Sequence, residues 1–175
     1  MNVLIAYGTT EGQTRKIAKW TADHIRELGH LAELCDSAAF ASDLDLETFD
    51  AFILAASVHQ GYHQETITNF IIAHRKLLDI RPAALISVSL SAVLEGEKAE
   101  AQKYVDDLVA TTGWRPRMTL LLGGALRFAE YDYFQEQIIK LLVMKRGHAA
   151  KAGSDREFTD WQALAGFLDR FLAVA

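Results

Sequence analysis

Three observations predict an α/β fold: a doubly wound, five-stranded parallel sheet in the order 2-1-3-4-5, with helices on both faces and a helical insertion after strand five. Apolar, β-prone runs alternate with stretches of helical periodicity along the 175 residues, the pattern of βαβ units joined by right-handed crossovers. Those runs are continuously apolar rather than alternating, as in parallel strands buried on both faces. A loop rich in hydroxyls and glycine, residues 8–14, follows the first run and opens directly into a helical pattern. In doubly wound sheets the ligand lies beyond the carboxyl ends of the strands, at the switch between the first and third.

The elements follow in order. Residues 2–7 read as the first strand. From Thr14 the pattern is helical, with Ile17, Trp20, Ala22, Ile25 and Leu28 near one face and Gly29 placed to end it. Residues 31–35 read as the second strand, and the polar, alanine-rich stretch 36–47 as a loop. Residues 51–56 form a third buried strand, and 57–63 a loop of polar and aromatic residues. A helix over 65–78 carries Ile67, Phe70, Ile71, His74 and Leu78 on one side. Pro82 precedes the fourth strand, 83–90. A helix over 98–112 is stopped by Gly113 and Pro116, and the fifth strand, 118–122, ends in Gly123-Gly124. A further helix is expected over 131–146. Thr159 or Asp160 can cap a last helix bearing Trp161, Leu164, Phe167, Leu168 and Phe171. No repeat or composition break divides the chain, so residues 1–175 read as one domain, with 124–155 as an insertion.

Composition narrows the function classes. Half the residues are hydrophobic and 23% are charged, as in globular proteins, and the net charge of −5 argues against nucleic acid as a partner. The single cysteine, Cys35, excludes an internal disulfide and a cysteine-rich metal site; no metal site is expected. No signal-peptide pattern precedes the first strand, and no apolar run reaches the ~18 residues of a membrane span. The expectation is a cytoplasmic protein, at most peripheral to the inner face of a membrane.

The stretch from Gly8 through Thr9, Thr10, Glu11, Gly12, Gln13 and Thr14 reads as a phosphate cradle. Free N–H groups and the positive end of a helix dipole converge there. There is no GxxxxGK[ST] and no GxGxxG, so a P-loop nucleotide and a dinucleotide pyrophosphate are both disfavoured. Hydroxyls and backbone amides, with only Arg15 and Lys16 close by, suit a phosphomonoester such as that of FMN. The loops after strands three and four have the chemistry to flank an isoalloxazine ring. Ser57, Val58, His59, Gly61, Tyr62 and His63 supply rings for stacking and a close backbone approach. Ser87, Val88, Ser89, Leu90 and Ser91 supply backbone and hydroxyl groups for the ring's polar edge. A flavin carries its own redox chemistry, and the sequence shows no separate nucleophile or acid–base dyad.

Several motifs bear a family resemblance. Thr9-x-x-Gly12-x-Thr14 resembles the flavodoxin phosphate motif. Gly12-Gln13-Thr14-Arg15-x-Ile17-Ala18, Ala56-Ser57-Val58-His59-x-Gly61-Tyr62-His63, Ser87-Val88-Ser89-Leu90, Trp114-Arg115-Pro116, Gly124-Ala125-Leu126-Arg127-Phe128 and Thr159-Asp160-Trp161 resemble the bacterial menaquinone-dependent protoporphyrinogen IX dehydrogenases. The resemblance runs through nearly the whole chain in order. It implies FMN, a place in haem biosynthesis, protoporphyrinogen IX as substrate and a membrane quinone of the menaquinone type as electron acceptor. It further implies that Gly123, Gly124, Ala125, Leu126 and Arg127 close the site from the fifth strand, with Arg127 a candidate contact for a substrate carboxylate. Two departures stand out: Glu11 sits where electron-carrier flavodoxins have threonine, and residues 147–155 lack the family's Gly-Gly…Thr-Asp-Thr run.

Residues 131–146 are apolar around most of a helix circumference, broken by Glu136, Lys140, Lys145 and Arg146. Such a helix either packs over the sheet edge or meets membrane, quinone or porphyrin. Two other functions stay open beside the dehydrogenase: a flavodoxin-type electron carrier, which is typically more acidic and lacks the insertion, and an FMN-dependent quinone reductase.

Overall fold

In the computed structural model, which describes residues 1–40, 44–126 and 156–175, a parallel sheet runs in the order β2-β1-β3-β5-β6. Its strands are β1 (Asn2–Gly8), β2 (Leu31–Asp36), β3 (Ala51–His59), β5 (Ala83–Ser89) and β6 (Met118–Gly123). The short β4 (Tyr62–His63) pairs antiparallel with the end of β3. Counting parallel strands only, this is the predicted 2-1-3-4-5 order. The helices are α1 (Gln13–Glu27), α2 (Glu65–Ile80), α3 (Lys98–Thr112) and α4 (Trp161–Val174).

The continuous apolar runs are explained by two cores, one on each face. Val3, Ile5, Ile53, Ala55, Ile86 and Leu122 face α1 and α4, where they meet Ile17, Ile25, Leu164, Phe167 and Phe171. Leu4, Ala6, Phe52, Leu54 and Leu85 face the other way, against Ile67, Phe70, Ile71, Val105, Leu108 and Trp114. Each fully buried aliphatic or aromatic side chain contributes roughly 1.5–3 kcal/mol, so β1, β3 and β5 are held from both sides. Parallel pairing then aligns the carboxyl ends. Gly8 lies opposite Ala56, Ala56 opposite Ser87, and Ser89 opposite Gly123.

Three local features refine the sequence reading. The third strand continues to His59 and turns back through Gln60 (φ 51°) and Gly61 (φ 86°) into β4. Two successive positive φ values make the two-residue hairpin turn whose twist matches that of paired strands. The segment 57–63 is therefore a paired hairpin rather than a loop. The polar stretch after β2, read from the sequence as a loop with a helical turn, contains two short 3₁₀ turns, Ser37–Ala39 and Leu46–Thr48, capped by Asp36 and Asp45. Beyond β6, β7 (Ala125–Leu126) pairs antiparallel with β8 (Arg156–Glu157), so the two ends of the insertion are held side by side. The expected helix over 131–146 lies outside the described residues.

Candidate functional site

The predicted cradle is the turn between β1 and α1. Gly12 adopts φ 86° and is the N-cap of α1, a conformation that favours glycine. Its N–H donates to Thr9 Oγ1 at 2.9 Å, closing the turn on itself. Gln64 Nε2 donates to Thr10 Oγ1. Both threonine oxygens accept in these bonds, which leaves each hydroxyl hydrogen free to be donated. Thr14 is 1% exposed and Gln13 is buried. Gly8 must be small, since a β-carbon there would come within 3.1 Å of Gln64 Cβ and 3.2 Å of Ile67 Cβ.

The start of α1 is set apart from the other helix starts. Among the described α-helices it alone has neither a capping side chain nor an acid in its first turn. α4, by contrast, is capped by Asp160, which accepts from Gln162 N and Ala163 N. The first N–H groups of α1 and its positive dipole end are thus not answered by a capping side chain, the condition for an anion site. The two nearby cations have partners of their own. Arg15 pairs with Asp36 at 3.1 Å, and Lys16 with Glu157 at 2.5 Å. The ammonium of Lys16 is the main reason the Glu157 pKa is lowered. The cradle is therefore built mainly from neutral donors.

The other sequence-predicted residues converge on the same end of the sheet. Ser57, at the end of β3, donates to Gly8 O at 3.4 Å and ties β3 to the cradle. Val58 and His59 pair with His63 and Tyr62 across the hairpin. Tyr62 is 74% exposed, so its ring is available for stacking. His63 is not. It is buried, and its Nε2 lies 2.9 Å from Ser87 Oγ. Burial pushes its pKa down to about 4, against a smaller upward pull from a hydrogen bond to the backbone of Tyr104. A neutral His63 accepting from Ser87 is thus a strut between the hairpin and β5. This corrects its reading as a stacking ring.

The serines after β5 are likewise engaged inside the protein. Ser87 bonds His63, Ser89 Oγ accepts from Ala92 N at 3.2 Å, and Ser91 Oγ lies 3.4 Å from Tyr104 OH. These bonds, with Val93 N donating to Leu90 O at 3.1 Å, fix the turn after β5. Val88 is buried on the α1/α4 face, and a β-carbon on Gly124 would lie 3.2 Å from its Cγ1. Gly123 admits no side chain at all: a β-carbon there would come within 2.5 Å of Phe158 O and 2.6 Å of Val93 Cγ1. Ala125 and Leu126 form β7, and Arg127 lies outside the described residues.

Sequence reasoning missed one participant. Thr159 donates to Gly123 O and accepts from Gln13 Nε2, both at 2.9 Å. Its place in the Thr159-Asp160-Trp161 motif was visible, but its competing reading as a helix cap concealed this role, since Asp160 does the capping.

The fold and this geometry together define a doubly wound α/β protein whose first helix starts without a capping side chain at the switch between its first and third strands. The chain belongs to the flavodoxin domain family, whose profile matches residues 4–152. It is 29% identical over 168 residues to the protoporphyrinogen IX dehydrogenase [quinone] of Escherichia coli K12, covering 95% of this chain and 92% of that one. A Leishmania major protein of the same name is 25% identical over 98% of this chain and 74% of its own length. The relatives are oxidoreductases by name. Among solved structures, the flavodoxin of Streptococcus pneumoniae TIGR4 superposes with a TM-score of 0.55 at 16% identity, covering 100% of both chains. That likeness concerns the fold alone.

Proposed function

We propose that this protein is an FMN-dependent, quinone-linked dehydrogenase that oxidises protoporphyrinogen IX to protoporphyrin IX. The observation that carries the proposal is end-to-end similarity to relatives of that name, in a chain whose α1 has no capping side chain and no acid in its first turn. Membership of the flavodoxin domain family supports a flavin, and the neutral cradle suits the phosphomonoester of FMN. Backbone N–H groups of Thr10, Glu11, Gln13 and Thr14, with the hydroxyls of Thr9, Thr10 and Thr14, would hold the phosphate, while the Gly12 N–H closes the turn on Thr9. Tyr62 would cover the ring, and backbone groups near Leu90 and Gly124 would meet its edges. FMN supplies the two-electron chemistry when bound. The protein's own part is to bind and orient it and to leave a face open for the substrate.

A quinone of the menaquinone type is proposed as acceptor, with residues 131–146 as a reversible contact to the membrane surface. No helix of the described residues is long and apolar enough to cross a membrane. An anaerobic assay of the FMN-loaded protein with protoporphyrinogen IX and menadione tests the whole reading. Quinone-dependent formation of protoporphyrin supports it. A flavin-loaded protein that exchanges electrons with redox proteins but forms no protoporphyrin makes it an electron carrier instead.

A further inference from the structure

The segment that returns from the insertion is stitched to both walls of the cradle. On the β6 side, Phe158 N donates to Gly124 O at 2.9 Å, and Thr159 Oγ1 donates to Gly123 O at 2.9 Å. On the α1 side, the amide of Gln13, the first residue of the helix, donates to the same Thr159 Oγ1, and Lys16 pairs with Glu157. Glu157 also accepts from Trp161 Nε1 at 3.0 Å. One hydroxyl thus joins the first turn of α1 to the end of β6. It does so across a packing so close that Gly123 has no space for a β-carbon.

We propose that Thr159 is a positioning residue for the cofactor: it holds the Gln13 turn and the Gly123 carbonyl in the geometry that receives the flavin phosphate. The proposal rests on the flavin reading of the site. Its physical basis is preorganisation. A cradle made of backbone N–H groups binds only when those groups already converge, and its apparent affinity falls in proportion to the fraction of time they do not. The Gln13–Thr159–Gly123 bonds restrict that first turn without touching the ligand. They also place the base of the insertion and the cradle under one constraint.

The test is FMN binding by the full-length apoprotein, followed by quenching of flavin fluorescence, with the thermal midpoint recorded for each variant. Thr159→Val replaces the hydroxyl by a methyl of similar size. It should raise the FMN dissociation constant about tenfold, the effect of losing a junction hydrogen bond whose partners are poorly solvated. Thr159→Ser keeps the hydroxyl and should restore most of the affinity. Asp160→Ala removes the α4 cap one residue on. It should lower the thermal midpoint and leave the dissociation constant within about twofold, which separates positioning from general stability. Gln13→Met removes the amide from the other side and gives a second route should Thr159→Val fail to fold. The double variant should bind about as weakly as Thr159→Val alone, because that substitution already removes the Gln13–Thr159 bond together with the bond to Gly123 O. Unchanged FMN affinity in a folded Thr159→Val, or in Gln13→Met, overturns the proposal while wild-type binding upholds the flavin reading. A wild-type apoprotein that takes up no FMN overturns both.

Discussion

His63 makes a pH dependence that can be worked from the structure. It is 8% exposed, with Nε2 2.9 Å from Ser87 Oγ, and burial favours its neutral form. In the unfolded chain it protonates near the ordinary histidine value. Above that value both states are neutral and His63 contributes nothing to the pH slope. As pH falls from 6.5 to about 4, the unfolded chain binds a proton that the folded chain refuses, and stability drops; below about 4 the loss levels off. At about 1.4 kcal/mol per pH unit, the full loss is about 3.5 kcal/mol, and about 2.5 kcal/mol of it should fall between about pH 7.5 and about pH 4.5.

Urea unfolding at a series of pH values measures this directly. The comparison is between wild type and His63→Gln, which keeps an acceptor near Ser87 but does not titrate. Carboxylates, and His74, whose pKa burial also lowers, contribute to both proteins and cancel in the difference. The wild type should lose about 2.5 kcal/mol more than the variant over that range. Parallel pH profiles would refute the assignment of His63 as a buried neutral strut.

Four further outcomes are expected. Gly123→Ala forces a β-carbon against Phe158 O, and should cost about 1–3 kcal/mol of stability by chemical denaturation and weaken FMN binding. Tyr62→Ala, at an exposed position, should change stability by less than about 0.5 kcal/mol. The same variant should raise the FMN dissociation constant about three- to tenfold through lost stacking. Arg127→Ala should raise KM for protoporphyrinogen IX without releasing flavin; unchanged turnover removes Arg127 from substrate binding. Polar replacement of Ile139, Leu142 and Val143 should reduce co-sedimentation with anionic liposomes while FMN stays bound, and unchanged co-sedimentation would end the membrane reading.

The fold was legible because burial leaves a direct mark on the chain. Val3 to Tyr7 and Ala51 to Ala56 are apolar at every position, since each strand meets a helix layer on both sides. The turn before α1 was legible for a related reason: Gly12 needs a positive φ, and the hydroxyls cluster where a helix begins. Partnership leaves no such mark. Nothing in the order of residues shows that Ser87 answers His63 rather than a ligand, because the pairing is made by strand register. The hairpin after β3 was obscured because Gln60, not glycine or asparagine, takes the first positive φ of its turn. The constraint on Gly123 comes from Phe158, beyond the whole insertion. No local pattern carries it.

The pairing of the two cations beside the cradle bears on how it would hold a phosphate. Arg15 and Lys16 stand where a charge-based site would aim them at the ligand, yet Asp36 and Glu157 hold them. Both pairs are largely solvent-exposed and contribute little to stability. Their larger consequence is geometric. The Lys16 pair anchors the returning segment to α1, and the Arg15 pair anchors the end of β2 to it. What remains for a ligand is a set of N–H groups and hydroxyls whose positions are fixed by packing: Gly8 against Gln64 and Ile67, Gly12 against Thr9, Gln13 against Thr159. In such a site affinity resides in shape rather than in any one charge. A side chain that never meets the ligand, such as the proposed positioning residue Thr159, is then expected to change affinity by releasing that turn.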